Sequence, residues 1–171
     1  MARRVRPAIE VRRVRNGRGL VSTRRFLPGD AVCTFRGSLV HASRLWSWWE
    51  RDARRAANCI RFDADRYLDP GEGLGAFANH SCRPNAMLVV RRASLQVRAI
   101  RVIRPGDEVT HDYSTFLGAD DCWSMRCNCG ERACRGTVRR FDRLPGALLR
   151  TYVGLGAIPA GVLKTAYESG Q

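Results

Sequence analysis

Three cysteines fall within the eight residues CNCGERAC, Cys127 to Cys134. Thiols this close, separated by Asn, Gly and Glu, commit the segment to a compact turn around a metal more readily than to disulfides. A structural zinc takes four ligands in a tetrahedron, and three thiolates cannot close it. One more ligand must come from elsewhere in the chain. Cys122 gives a local C-x4-C-x-C-x4-C arrangement, and Cys82, in AFANHSCRPNA, is the distant alternative. Spacing alone does not choose between them. The total of seven cysteines is odd, which argues against a closed disulfide framework and for a reducing compartment. No apolar run is long enough to span a bilayer, so no membrane partner is expected. The N-terminus MARRVRPAIEVRR carries charge without an apolar segment behind it, and a cytoplasmic location is expected.

The rest of the chain reads as short strands. AIEVRRV, DAVCTFRGSLV, CIRFDADRYLD, NAMLVVRR, SLQVRAIRVI and EVTHDY are β-rich runs separated by Gly, Pro, Asn and Asp. LPGDAV and RPGDEV use one turn chemistry twice, with Pro presetting φ and Gly-Asp turning the chain into a strand. SRLWSWWERDARRAAN interrupts this pattern. Leu45, Trp46, Trp49, Ala53, Ala56 and Ala57 share roughly one helical face, Ser43 is the expected N-cap, and the indoles are read as anchors to the core in preference to a binding platform. After residue 141 the pattern turns helical again, with Pro159 suited to a first turn. Cys33 and Cys59 are expected in apolar strands as core residues.

A formal net charge of +14 points to an anionic partner such as nucleic acid. The basic residues are scattered along the chain, however, and only Lys164 is a lysine, so general composition explains the charge equally well. Asp63, Asp65, Asp69 and Glu72 form a dense acidic patch, read as solvated loop charge or as the lining of a groove for a basic substrate.

NGRGL, GAFANHSCRPNA, RPGDEVTHDYS and CNCGERACRG occur in that order. Together they resemble a SET domain with a post-SET cysteine motif, over about residues 9 to 138. The resemblance implies a mainly β fold of small interwoven sheets with pseudoknot-like threading and short helices. The chain divides into a basic tail (1–8), a SET domain (9–117) with a helix inserted at about 43–57, a post-SET zinc motif (118–140) and a helical tail (141–171). It implies one structural zinc, held by Cys82, Cys127, Cys129 and Cys134. It implies S-adenosylmethionine as cosubstrate, approached by Gly17, Arg18, Gly19 and Leu20 and held by Asn79, His80 and Tyr113. On residue chemistry alone, NGRG is equally an ordinary Asn-Gly turn.

Tyr113 matches the family's catalytic tyrosine. His111 occupies a position where relatives carry Phe or Tyr and where the number of methyls added is tuned. Ala76 and Asn58 stand where many relatives have Arg and Tyr, and no pre-SET cysteine cluster precedes the domain. The implied activity is methyl transfer to a lysine amine of a protein substrate, and the charge extends this to a substrate associated with nucleic acid. Two other readings stand beside it: the same chemistry on a small amine or amino acid, with the pocket opened by Ala76 and Asn58, and a non-catalytic zinc-stapled module binding nucleic acid or protein.

Overall fold

The computed structural model describes residues 7–168. Most of the expected basic tail therefore lies outside the described residues, as do the last three positions. β1 (Ile9–Val14) and β2 (Gly17–Ser22) form an antiparallel hairpin with Val11 opposite Leu20. β3 (Ala31–Phe35) leads to β4 (Ser38–His41), then α1 (Ala42–Arg51), α2 (Ala53–Asn58), β5 (Ile60–Arg61) and β6 (Arg66–Asp69). A 3₁₀ turn at Leu74–Phe77 precedes β7 (Asn79–His80), β8 (Ala86–Arg91), β9 (Ser94–Ala99) and β10 (Thr110–His111). Further on lie a 3₁₀ turn at Tyr113–Phe116, β11 (Met125–Arg126), β12 (Thr137–Val138), α3 (Gly146–Gly154) and α4 (Ala160–Glu168).

The strands group into small sheets, among them β3-β9-β8 and β4-β6-β5. β7 and β10 pair in parallel, with Thr110 beside Asn79 and His111 beside His80. The main core gathers Leu20, Phe26, Phe35, Leu68, Leu88, Leu95, Val97 and Ile103, contributed by alternating positions of several strands. A second apolar cluster ties α3 and α4, through Tyr152, Ile158 and Val162, to Ala119 and Phe141.

The repeated turn is repeated in atoms as well as letters. Gly29 and Gly106 both adopt positive φ, near 93° and 91°. Asp30 accepts the Leu27 N–H and Asp107 accepts the Arg104 N–H, each at 2.8 Å. Proline fixes the first turn angle, and only glycine takes the second without a steric cost.

The inserted helix differs from expectation. It is two helices broken at Asp52, whose backbone N–H closes α1 on Trp48 while its carboxylate caps α2 at Arg55 N. Aspartate competes poorly inside a helix and well at its N-terminus, which explains the break. The N-cap of α1 is His41 rather than Ser43, with Nδ1 accepting the Ser43 N–H at 3.2 Å. Leu45 and Ala56 are buried as expected, but Ala53 and Ala57 are exposed. Trp48, not Trp46, packs against the neighbouring cluster and carries the Arg55 guanidinium 4.0 Å over its ring.

Candidate functional site

The Sγ atoms of Cys82, Cys127, Cys129 and Cys134 all lie within 4.8 Å of one another. Cys82 and Cys127 are 3.7 Å apart, close to the roughly 3.8 Å edge of a tetrahedron with ~2.3 Å metal–sulfur bonds. Four sulfurs in that arrangement fit zinc. Backbone N–H groups of Arg135 and Gly136 point at Cys82 and Cys134, each at 3.4 Å, as thiolate acceptors require. At Cys129, burial opposes ionisation, but backbone donors from Cys82 and Glu131 overcome it and bring the thiol down to about 7. Cys122 is exposed and stands outside the group. Cys33 lies in β3, its thiol pushed up to about 12 by burial. Cys59 is not in a strand: it caps α2 and lines the cavity described below.

The short parallel pair β7–β10 brings the Asn79-His80 segment against the approach to Tyr113. The Asn79 side-chain amide donates to Glu108 Oε1 at 2.7 Å and to the Arg18 carbonyl at 3.0 Å. Gly19 is the third member of this contact. A Cβ there would meet Glu108 Oε1 at 2.5 Å, Val14 at 2.7 Å and the Asn79 amide at 3.0 Å, so the approach is open to glycine alone. Arg18 lays its guanidinium 4.3 Å over the Phe77 ring. Gly17 serves the hairpin turn with φ near 92°. Leu20 is wholly buried in the main core, and its carbonyl accepts the Val109 N–H.

His80 is buried, and burial pulls its pKa down to about 4 despite the nearby Asp112 charge. Its Nδ1 accepts the Tyr113 N–H at 3.2 Å, and its Nε2 faces Cys82 Sγ at 3.3 Å. The Tyr113 hydroxyl donates to the Ala78 carbonyl at 2.7 Å, and burial, reinforced by Glu108, raises it to about 12. His111 is fully enclosed, and desolvation followed by His80 lowers it to about 3, so its imidazole is neutral. Tyr113 opens a 3₁₀ turn and does not continue the strand of His111, contrary to the reading of one extended segment. The two rings nonetheless approach to 5.0 Å between centroids.

Two clefts flank this centre and share no lining residue. One is a mostly apolar cavity of about 90 Å³, with Trp46, Trp49, Trp123, Phe116, His111 and Tyr113 in its wall. Ala76 and Asn58 both line it, and Asp121 with Arg61 and Tyr67 supply its polar part. The other, about 260 Å³, is polar and includes Arg15, Asn16, His80, Ser81, Glu108 and Glu131. Trp46 and Trp49 both line the cavity; Trp49 also packs against the cluster of Val40, Leu45, Ala56 and Tyr67, as an anchor does, and Trp46 departs from the anchor reading. Helical periodicity places them on one face but does not say whether that face meets a core or a cleft. Trp123, Asp121 and Arg15 are not singled out by the sequence, although Arg15 adjoins NGRGL and Trp123 adjoins Cys122; Asn16 lies inside NGRGL but reads there only as turn chemistry. The acidic patch lines neither cleft; Asp63 pairs with Arg66 and Asp69 with Arg55.

Residues 17–114 match the family model described as SET domain, which is more than half of the chain. The chain belongs to the SET domain family. This SET domain is 31% identical over 135 residues to a histone-lysine N-methyltransferase, H3 lysine-36 specific, of Yarrowia lipolytica, covering 71% of the chain and 17% of that protein. It is 29% identical over 129 residues to an H3 lysine-4 specific histone-lysine N-methyltransferase of Cryptococcus neoformans, covering 70% of the chain and 9% of the relative. It therefore spans less than a fifth of the length of these curated relatives. The crystal structure of the methyltransferase domain of human SETMAR superposes with a TM-score of 0.63 at 24% identity, covering 77% of this chain and 58% of that one, and shares its fold.

Proposed function

We propose that this SET domain transfers methyl from S-adenosylmethionine to a lysine amine of a protein, with one structural zinc on Cys82, Cys127, Cys129 and Cys134. The observation that carries the reading is the placement of the two clefts about one strand pair. β7–β10 contributes His80 and Thr110 to the polar cleft and His111 to the aromatic cavity, with Tyr113 at the cavity wall. A polar ligand and an alkyl amine entering from the two sides would meet beside Tyr113. The Arg15, Asn16, Glu108 and Glu131 side chains suit the charged and hydrogen-bonding groups of the cosubstrate, and Gly19 keeps the backbone close.

When bound, S-adenosylmethionine supplies an electrophilic methyl on a sulfonium. The chain's own residues align and desolvate the amine. A lysine ammonium, with a pKa of about 10.4 in water, must lose a proton before it attacks. Aromatic walls lower that pKa by desolvation, while their faces still attract the arriving cation. The Tyr113 hydroxyl, fixed on the Ala78 carbonyl, holds its oxygen toward the reacting centre. A neutral His111 adds a polar group to the cavity wall without repelling a cation. Asp121 in the same wall is paired with the Arg61 guanidinium at 3.1 Å, so the polar part of the cavity is an internally balanced ion pair and attraction for a cationic side chain comes from the aromatic faces.

The names of the relatives extend the proposal to a histone-type tail as substrate, and the +14 charge supports a nucleic-acid contact beside it. Incubation with labelled S-adenosylmethionine and whole-cell extract tests the reading. Label in protein, released as methyl-lysine on hydrolysis, is expected. Label confined to small amines would move the substrate class, and no transfer by zinc-loaded protein would leave a binding module.

A further inference from the structure

Asp112 immediately precedes Tyr113, and its side chain is almost wholly buried. Three donors from three parts of the chain satisfy it. Ser114 N–H reaches Oδ1 at 3.0 Å, the Arg135 guanidinium reaches the same oxygen at 2.7 Å, and the Tyr152 hydroxyl donates to Oδ2 at 2.9 Å. Arg135 follows the last clustered cysteine, and Tyr152 comes from α3, outside residues 17–114 of the family match. Tyr152 is itself buried in the cluster formed by α3 and α4.

We propose that Tyr152 is a positioning residue of the transfer reaction, acting through Asp112 on Tyr113, so that the C-terminal helices form part of the reacting centre. The inference rests on the methyltransferase reading for its kinetic consequence, but not for its structural one. A carboxylate held at both oxygens fixes the Asp112 backbone, and hence the entry to the 3₁₀ turn that begins at Tyr113. The position of the Tyr113 ring is then set from two sides: by Ala78 at its hydroxyl and by Asp112 at its backbone. Removing one donor leaves a buried carboxylate oxygen short of a partner, and the turn next to it is the element free to relax. α4 makes a separate contact with the same region. Thr165 Oγ1 accepts the Ala119 N–H at 2.7 Å and donates to the Val162 carbonyl at 2.7 Å, at the loop that carries Asp121.

This difference supplies the control. Tyr152→Phe keeps the ring and loses only the hydroxyl, while Thr165→Val removes the other contact. Native-state amide exchange on the full chain should show Tyr113 and Ser114 exchanging about tenfold faster in Tyr152→Phe, with Leu88 and Val97 in the main core unchanged. Thr165→Val should speed exchange at Ala119 without altering Tyr113 or Ser114. In the transfer assay, Tyr152→Phe should lower kcat about tenfold and leave the KM for the amine substrate within twofold. Unaltered exchange at Tyr113 and Ser114 overturns the proposal. So does equal acceleration throughout the core, or an equal effect at Tyr113 from Thr165→Val, since either marks general loosening. Wild-type protein that transfers no methyl would refute the functional reading, while the exchange arm would still decide the coupling.

Discussion

Nε2 of His80 lies 3.3 Å from Sγ of Cys82. Because Nδ1 of the same ring accepts the Tyr113 N–H, the proton of the neutral imidazole sits on Nε2 and points at the sulfur. One ring therefore connects the cysteine cluster to the backbone of Tyr113. A ring N–H donated to a cysteine sulfur holds that thiolate in place, so metal occupancy and the shape of the neighbouring cleft should change together.

Cys82→Ser should accordingly lower both zinc content and affinity for S-adenosylmethionine, and Cys122→Ser should alter neither. Elemental analysis and titration calorimetry on the same preparations check this. Zinc retained in Cys82→Ser but lost in Cys122→Ser would transfer the fourth ligand to Cys122.

Asn79→Ala removes the amide that joins Glu108 to the Arg18 carbonyl. Two lost hydrogen bonds in a partly buried cleft correspond to about 1–3 kcal/mol, so cosubstrate affinity should fall by roughly fivefold to a hundredfold. Gly19→Ala should act in the same direction by forcing Glu108 and Asn79 apart. Affinity unchanged in both variants would place the cosubstrate elsewhere.

Tyr113→Phe should reduce turnover on the order of a hundredfold or more while changing cosubstrate affinity much less, because the hydroxyl contributes where charge shifts during transfer. A parallel loss of binding would assign Tyr113 a structural part only.

His111→Phe should retain activity and raise the number of methyls added, since it takes a polar group out of the space a methylated amine would occupy. Mass spectrometry of the product reads this directly. An unchanged methylation state with a large rate loss would make His111 a proton acceptor instead.

The same histidine should leave a mark on acid stability. Folded His111 has its pKa lowered to about 3, against about 6.5 in the unfolded chain. The unfolded state therefore binds the extra proton first. Stability from keeping this ring neutral is complete above about pH 6.5 and is lost progressively as pH falls toward 3, by up to about 1.4 kcal/mol per pH unit. Urea unfolding of wild type and His111→Phe from pH 4 to 7 should show a shallower decline in the variant; identical slopes would refute the burial argument. His80, lowered to about 4, adds its own decline to both proteins, and the difference between them reads His111 together with its repulsion by His80.

Much of the fold was legible where the cause was local. The paired Pro-Gly-Asp turns, the Gly17 hairpin and the β-rich runs follow from short-range sterics, and they appear where the residues place them. The reading failed where two local preferences competed, as at Asp52, which favours a cap over the interior of a single long helix. It failed again at Trp46, which is exposed on the cavity rim, because periodicity defines a face and not what the face meets.

By itself, the sequence determined the chemistry available: three thiols at fixed short spacing, a glycine beside a turn, a tyrosine two residues from a histidine, and the order of motifs that marks the family. Tertiary structure alone decided which groups meet. Cys82 reaches Cys127 across 45 positions, and Tyr152 reaches Asp112 across 40. Covalent geometry constrains neighbours a few residues apart, whereas contacts at such separations are set only when the strands and helices between them have packed.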